Sequence, residues 1–395
     1  MLDESLLDAP EALARADTRG LLRGAAGSGA RVRTAARGAM EAGLADLKPD
    51  GRPRGLLIAG SGPATACVAD LLAALSGGNT LVRPIHPVGA LAAPGALRWT
   101  LPGWAGPLDL LIVLTADGTE PGLSALVEQA YRRGCSVVSV CPADAPLTGD
   151  VGGRHGLAVP LTAPAHESPL PGEGETGGAW PARRAPAGDA AGERPGTVWA
   201  LLVPLLVLLD RTGFHPAPPA TVQLVADRLD RTAERCGPAV ATYSNPAKTL
   251  AAELAESLPL LWSDGPVARA AARHFARSLA AVAGRPALAA ALPEALTEHA
   301  ALLSGAFAAG ADPDDFFRDR VEDPAALHAR VVLLREQGLT AGSPTPAARE
   351  FALAHDSPVS ELEPSEGSVL EAAAELLAIT DFAAVYLALA SGDRS

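Results

Sequence analysis

Two groups of residues in this chain have the types and spacing to do chemistry. The first is the turn Gly60-Ser61-Gly62, which follows an apolar run at 56–59. Glycines let a backbone approach an anion and a hydroxyl donates to it, so such a turn at the head of a helix suits a phosphate group. Any strand-to-helix turn also favours glycine, and the turn alone leaves the structural and the functional reading open. The second group is Glu294, Glu298 and His299. Carboxylates and an imidazole move protons at neutral pH, so catalysis is one role open to this polar cluster. Capping or solvation at a helix end is the competing role for the same three residues.

Elements must hold these groups in place. Residues 3–46 read as helices, with Leu6, Leu7, Leu13, Leu21, Leu22, Val32 and Leu44 at helical intervals, and they are expected to lie against the first domain. From residue 55 onward, short apolar runs alternate with helical stretches, the texture of βαβ units and a parallel sheet. Candidate strands lie at 56–59, 80–83, 110–115, 136–141 and 157–161, with helices at 65–75 and 122–133 between them. Residues 163–196 are rich in Pro, Gly, Glu and Ala and poor in large apolar side chains, which reads as a flexible linker. A helix at 198–211 then leads into a second α/β unit. Its strands are expected at 259–263, 329–334 and 359–362 and its helices at 267–283, 368–377 and 381–390. The organisation read from the sequence is therefore N-terminal helices at 1–50, a first domain at 51–162, a linker at 163–196 and a second domain at 197–395. The fold class is α/β.

Composition narrows the function classes. A formal charge of −13 with no basic stretch removes the attraction that drives nucleic-acid binding. The N-terminus, Met1-Leu2-Asp3-Glu4-Ser5, lacks the basic and apolar regions of a signal peptide, and the apolar run at 198–209 carries Pro204 and is too short for a membrane span. Cytoplasmic residence and no membrane partner are expected. Cys67, Cys135, Cys141 and Cys236 lack metal-ligand or paired spacing, so buried reduced thiols are expected, with neither a metal nor a cofactor. A dinucleotide reading of Gly60-x-Gly62 fails at the third glycine, which is Thr65, and at the second strand's end, where Arg83 replaces an acidic residue.

The stretch Asn245-Pro246-Ala247-Lys248-Thr249-Leu250-Ala251, followed by Leu258-Pro259-Leu260-Leu261-Trp262, resembles the start of the second sugar-isomerase (SIS) domain of bifunctional phosphoglucose/phosphomannose isomerases. Ala200-Leu201-Leu202-Val203-Pro204, the pairs Pro286-Ala287 and Pro293-Glu294, and Thr380-Asp381-Phe382-Ala383-Ala384-Val385-Tyr386 extend the resemblance over roughly residues 50–390. It implies two SIS-type domains, each a parallel sheet flanked by helices. It also implies a sugar-phosphate ligand, glucose 6-phosphate/mannose 6-phosphate isomerisation as the family's activity, and a homodimer. It makes Gly60, Ser61, Gly62, Thr119 and Glu120 the candidate ligand-binding residues.

The same resemblance exposes departures. The family's second loop, S-x-S-G-x-T-E, reads here Leu114-Thr115-Ala116-Asp117-Gly118-Thr119-Glu120. Asp117 puts a carboxylate where a phosphate dianion is expected, a repulsion of several kcal/mol at an effective dielectric constant of about 20. The positions of the family's base, lysine and ring-opening histidine fall on Ala281, Gly284 and Thr297, and no Asp or Glu occurs between Asp264 and Glu294. The only lysines are Lys48 and Lys248, the latter expected to be structural. The sequence thus reads as a degenerate family member that binds a sugar phosphate without the acid/base apparatus. The alternative is an active glucose 6-phosphate/mannose 6-phosphate isomerase with relocated groups, Glu294 as base and His299 for ring opening.

Overall fold

The computed structural model describes residues 3–47, 51–78, 80–89, 96–116, 118–153, 156–161, 194–305, 307–308, 327–336 and 341–391. Most of the expected linker, Lys48 and Asp117 lie outside these residues. The chain divides into two compact units, one of residues 30–69 and 76–222, the other of residues 1–29, 70–75 and 223–395.

The first unit is built on a five-stranded parallel sheet. Its strands are β1 (Gly55–Gly60), β2 (Leu81–Ile85), β3 (Asp109–Leu114), β4 (Ser136–Cys141) and β5 (Leu157–Pro160), in the order β2-β1-β3-β4-β5. Every residue of β1 and β3 is buried, which is why both read as unbroken apolar runs. Edge strand β2 alternates exposed and half-buried residues and carries Pro84, tolerable where one side of the ladder has no partner. Helix Pro121–Arg132 opens on Pro121, whose missing N–H costs nothing in the first turn, and buries Leu123, Leu126, Val127 and Ala130 along one stripe. That stripe packs on Leu57, Leu111 and Val113 of the sheet. Each such leucine or valine contributes roughly 1.5–3 kcal/mol by leaving water. Helix Thr197–Arg211 also belongs to this unit, buried on nearly all sides around Pro204.

The second unit holds a four-stranded parallel sheet: β6 (Ser257–Asp264), β7 (Leu288–Ala291), β8 (His328–Arg335) and β9 (Val359–Leu362), in the order β7-β6-β8-β9. β7 was not legible in the sequence, because Leu-Ala-Ala-Ala has no β-branched or aromatic residue. Its pairing with β6, Leu260 opposite Leu288, makes it a strand. The two helices expected at 368–377 and 381–390 are one helix, Val369–Ala390. Thr380 does not break it, because its hydroxyl donates to the carbonyls of Leu376 and Leu377 one turn back. A capping box of Ser368 and Glu371 starts this helix.

Val369–Ala390 is also the one helix, among the described residues, long and apolar enough to cross a membrane, and it is buried within the fold. Its acidic residues are paired. Arg228, on helix Pro219–Cys236, donates to Glu371 and Glu375, and Asp381 meets His274 Nε2 at 2.9 Å. The expectation for residues 3–46 is corrected in part: helices Glu4–Leu7, Pro10–Ala16 and Leu21–Ala26 belong to this second unit, whereas nearly all of helix Ser28–Glu41 belongs to the first sheet's unit as expected. Asp3 N donates to Ala390 O at 2.9 Å, Asp8 Oδ1 accepts from Thr242, and Leu7 and Leu13 are fully buried. All four cysteines are free thiols and buried.

Candidate functional site

In the first sheet the chain leaves β1 toward β2 and returns to β3 on the other side of β1. The carboxyl ends of β1 and β3 therefore flank a topological switch point, where parallel sheets open a crevice for ligands. The two loops there are 60–62 and 115–120. Gly60 has φ +154°, and a β-carbon on it would stand 2.1 Å from Leu114 O, so the close approach of β1 to the end of β3 requires glycine. Gly62, at φ +88°, opens helix Gly62–Leu75 into free space.

The loops are tied together by one carboxylate. Ser61 Oγ donates to Glu120 Oε1 (3.1 Å) and Thr115 Oγ1 to Glu120 Oε2 (2.9 Å), while Gly118 N donates to Thr115 Oγ1 (2.9 Å). Of the residues expected to bind a ligand, Ser61 and Glu120 are brought into contact and Gly60 and Gly62 flank them. Thr119 is exposed beside them. Thr115 is a participant that the sequence reading missed, since it falls in an unspecified slot of the loop motif. A hydroxyl directly after the buried strand β3 was the available signal.

The second sheet has its switch point between β6 and β8. Here too a carboxylate lies in the crevice, but backbone holds it. Glu336 Oε2 accepts from Val267 N at 2.7 Å, at the start of helix Pro266–Ala283. Gly265, at φ +105°, lies so close that a β-carbon would come within 2.4 Å of the Glu336 carboxyl. Burial pushes the Glu336 carboxyl above the usual carboxylate range, against the lowering by the N–H groups of Val267 and Ala268. Asp264, at the end of β6, accepts from Ser343 Oγ (2.6 Å) and Thr345 Oγ1 (2.9 Å).

Beside this crevice a cavity of about 380 Å³ opens at the carboxyl ends of β6 and β7. Arg269, Arg273, Glu294 and Glu298 line it, with Ser263 and the small residues of β7. Glu294 thus borders a space of ligand size. His299 is turned into the core, where its Nδ1 accepts from Trp262 Nε1–H at 2.9 Å. That fixes the proton of a neutral imidazole on Nε2. Burial pushes His299 below the ordinary histidine range, against a smaller upward pull from Glu298.

The stretch 245–251 does structural work. Asn245 Oδ1 caps helix Pro246–Leu254 by accepting from Ala247 N and Lys248 N, and its Nδ2 donates to Gly237 O. Lys248 is fully buried and its Nζ donates to Pro238 O (2.8 Å) and Val240 O (2.7 Å). The ammonium also lies 5.5 Å from the Tyr386 ring centroid, while Tyr386 OH donates to Cys236 O. Burial draws the Lys248 ammonium below the ordinary lysine range. These residues tie the end of helix Pro219–Cys236 to the C-terminal helix.

Residues 243–393 match the bacterial phospho-glucose isomerase C-terminal SIS domain. This segment belongs to that family. Among solved structures, a candidate phosphosugar isomerase from Silicibacter pomeroyi DSS-3 is similar at 17% identity, covering 94% of this chain and 97% of its own, with a TM-score of 0.57. A candidate phosphosugar isomerase from Clostridium difficile 630 has a TM-score of 0.57 at 10% identity, covering 94% and 93%. Tagatose-6-phosphate ketose/aldose isomerase from Escherichia coli follows at 0.50 and 16%, covering 95% and 92%. At these identities the structural likeness carries the fold, two tandem SIS-type sheets. No curated protein sequence matches the chain.

Within the phospho-glucose isomerase SIS domain, the positions where the resemblance puts the catalytic groups hold none. Ala281 is exposed in the last turn of helix Pro266–Ala283, Gly284 ends that helix in the left-handed conformation at φ +62°, and Thr297 is exposed.

Proposed function

We propose that this chain is a sugar-phosphate-binding member of the phosphosugar isomerase family that has lost the family's acid/base catalysis. One observation carries the second half of the reading. No carboxylate lies between Asp264 and Glu294, the stretch that includes helix Pro266–Ala283 and β7, so an enediol mechanism has no base there. The binding half is supported by the first switch point. Ser61 and Thr115 are hydroxyl donors gathered at one spot, with two glycines that let a ligand approach the backbone. A phosphate entering there must displace the Glu120 carboxylate and take over both hydroxyls. On this reading the protein is a cytoplasmic homodimer, which light scattering at micromolar concentration checks.

Thermal-shift titration with glucose 6-phosphate, mannose 6-phosphate and fructose 6-phosphate tests the proposal, alongside a coupled isomerase assay with fructose 6-phosphate. The expected result is a ligand-dependent rise in melting temperature with a flat coupled trace. No rise with any phosphosugar removes the small-molecule role.

A second reading, isomerisation by relocated groups, is favoured by the position of Glu294 on the cavity beside β7. The bond from Trp262 to His299 opposes it, because that imidazole is committed to the core. A coupled rate that vanishes in Glu294→Gln would establish it over the first reading.

A further inference from the structure

The cavity beside β6 and β7 has charges of both signs on its walls, and three of them are uncommitted. Arg269 and Arg273 project from helix Pro266–Ala283, while Glu294 and Glu298 come from the segment after β7, one helical turn apart and so on the same side. Arg273 donates to Asp70 Oδ1 at 3.1 Å. The side chains of Arg269, Glu294 and Glu298 make no hydrogen bond or ion pair among the described residues. One free guanidinium therefore faces two free carboxylates. Methyl groups lie between them, from Ala272 on the helix and from Ala289, Ala290 and Ala291 on β7. Ser263 carries the one hydroxyl of the described lining, and it donates to Ala290 O at 3.3 Å.

These walls select against a phosphate. A dianion would find a single uncommitted guanidinium, no free hydroxyl, and two carboxylates that repel it. A carboxylate is matched by that guanidinium alone, through two parallel N–H bonds. An ammonium on the same molecule is matched by Glu294 and Glu298. In an α-amino acid these two groups lie roughly 3 Å apart, so with charge-assisted contacts of about 2.8 Å at each end the molecule bridges walls too far apart to pair directly. The methyl groups suit an apolar side chain, and about 380 Å³ leaves room for one. We infer that this cavity binds a free α-amino acid with an apolar side chain, its carboxylate on Arg269 and its ammonium between Glu294 and Glu298. The inference stands apart from the sugar-phosphate reading, which rests on Ser61 and Thr115 of the first sheet.

Calorimetric titration of the full chain at pH 7 tests it with three probes: L-leucine, L-leucinamide and leucic acid, the hydroxy acid analogue of leucine. The amide keeps the ammonium and loses the carboxylate, and the hydroxy acid does the reverse. L-Leucine is expected to bind in the millimolar range, as suits exposed charge contacts, and about threefold to tenfold more tightly than either analogue. The preference over the amide is expected to vanish in Arg269→Gln, and the preference over the hydroxy acid in Glu294→Gln/Glu298→Gln. All three positions are exposed and tolerate the change. No binding of L-leucine at concentrations of about 20 mM, equal affinities for the three probes, or preferences that survive in the variants overturn the inference. Each of those outcomes leaves the sugar-phosphate reading in place.

Discussion

The two switch points hold the same chemical group in opposite ways. In the first sheet, the Glu120 carboxylate accepts from the side-chain hydroxyls of Ser61 and Thr115. In the second, the Glu336 carboxylate accepts from Val267 N at a helix start and is pressed against Gly265. A hydroxyl turns about one bond and can exchange one acceptor for another, whereas a backbone N–H in a helix is fixed by the helix itself. On the proposed function, the first crevice exchanges its internal anion for a ligand. In the second the carboxylate is held by backbone, and a cavity of that unit opens to one side, beside β7.

The sharpest way to break this comparison is to remove the backbone approach that defines the first crevice. Gly60→Ala puts a β-carbon against the carbonyl of Leu114, which cannot move without disturbing β3, at a φ that L residues rarely adopt. A loss of about 3 kcal/mol or more is expected in urea unfolding, together with loss of sugar-phosphate binding. A neutral effect would show that β1 and β3 are not held at this spacing.

Gly265→Ala should cost less, about 1–3 kcal/mol, because the group it meets is the end of a side chain. The double variant Gly265→Ala/Glu336→Ala is then expected to recover part of that loss. Recovery measured by chemical denaturation separates a steric conflict with Glu336 from simple backbone strain, which Glu336→Ala cannot relieve.

The second unit should also respond to acid through His299. Its folded-state value lies below the ordinary one, so the unfolded chain takes up the proton first as pH falls. The stability that His299 contributes is complete above about pH 6.5 and is lost as pH drops from there through the folded value. Urea titrations at pH 7.5 and 5.5 should therefore differ by more in the wild-type chain than in His299→Gln. An equal difference in both would mean that His299 is not a buried neutral group. In Trp262→Phe the His299 Nδ1 loses its donor, and a loss of about 1–3 kcal/mol is expected at pH 7.5.

The smallest effect on stability belongs to Ser61→Ala, because Glu120 keeps its bond from Thr115. About 0.5–1 kcal/mol or less is expected in urea unfolding, against a several-fold weaker affinity for sugar phosphate by thermal-shift titration. A variant that binds as tightly as the wild type would remove Ser61 from the site.

The sequence by itself determined the strands that are buried on both faces and the helices whose start is a local event. β1, β3, β4, β6 and β8 were legible because a central parallel strand must be apolar along its length, and Asn245 before Pro246 marks a helix start through a side chain that reaches only two and three residues ahead. The lack of any carboxylate between Asp264 and Glu294 was legible too, since it needs no coordinates. The edge strands β2, β5 and β9 also lie where the sequence placed them, while tertiary structure decided other features. β7 became a strand by pairing with β6, and the first three N-terminal helices joined the unit of the C-terminal helix rather than that of the first sheet. Ser61 met Glu120 across 59 positions of sequence, and His299 was drawn to Trp262 across 37. Contacts at such separations depend on how whole elements stack, and no local pattern of residues records that.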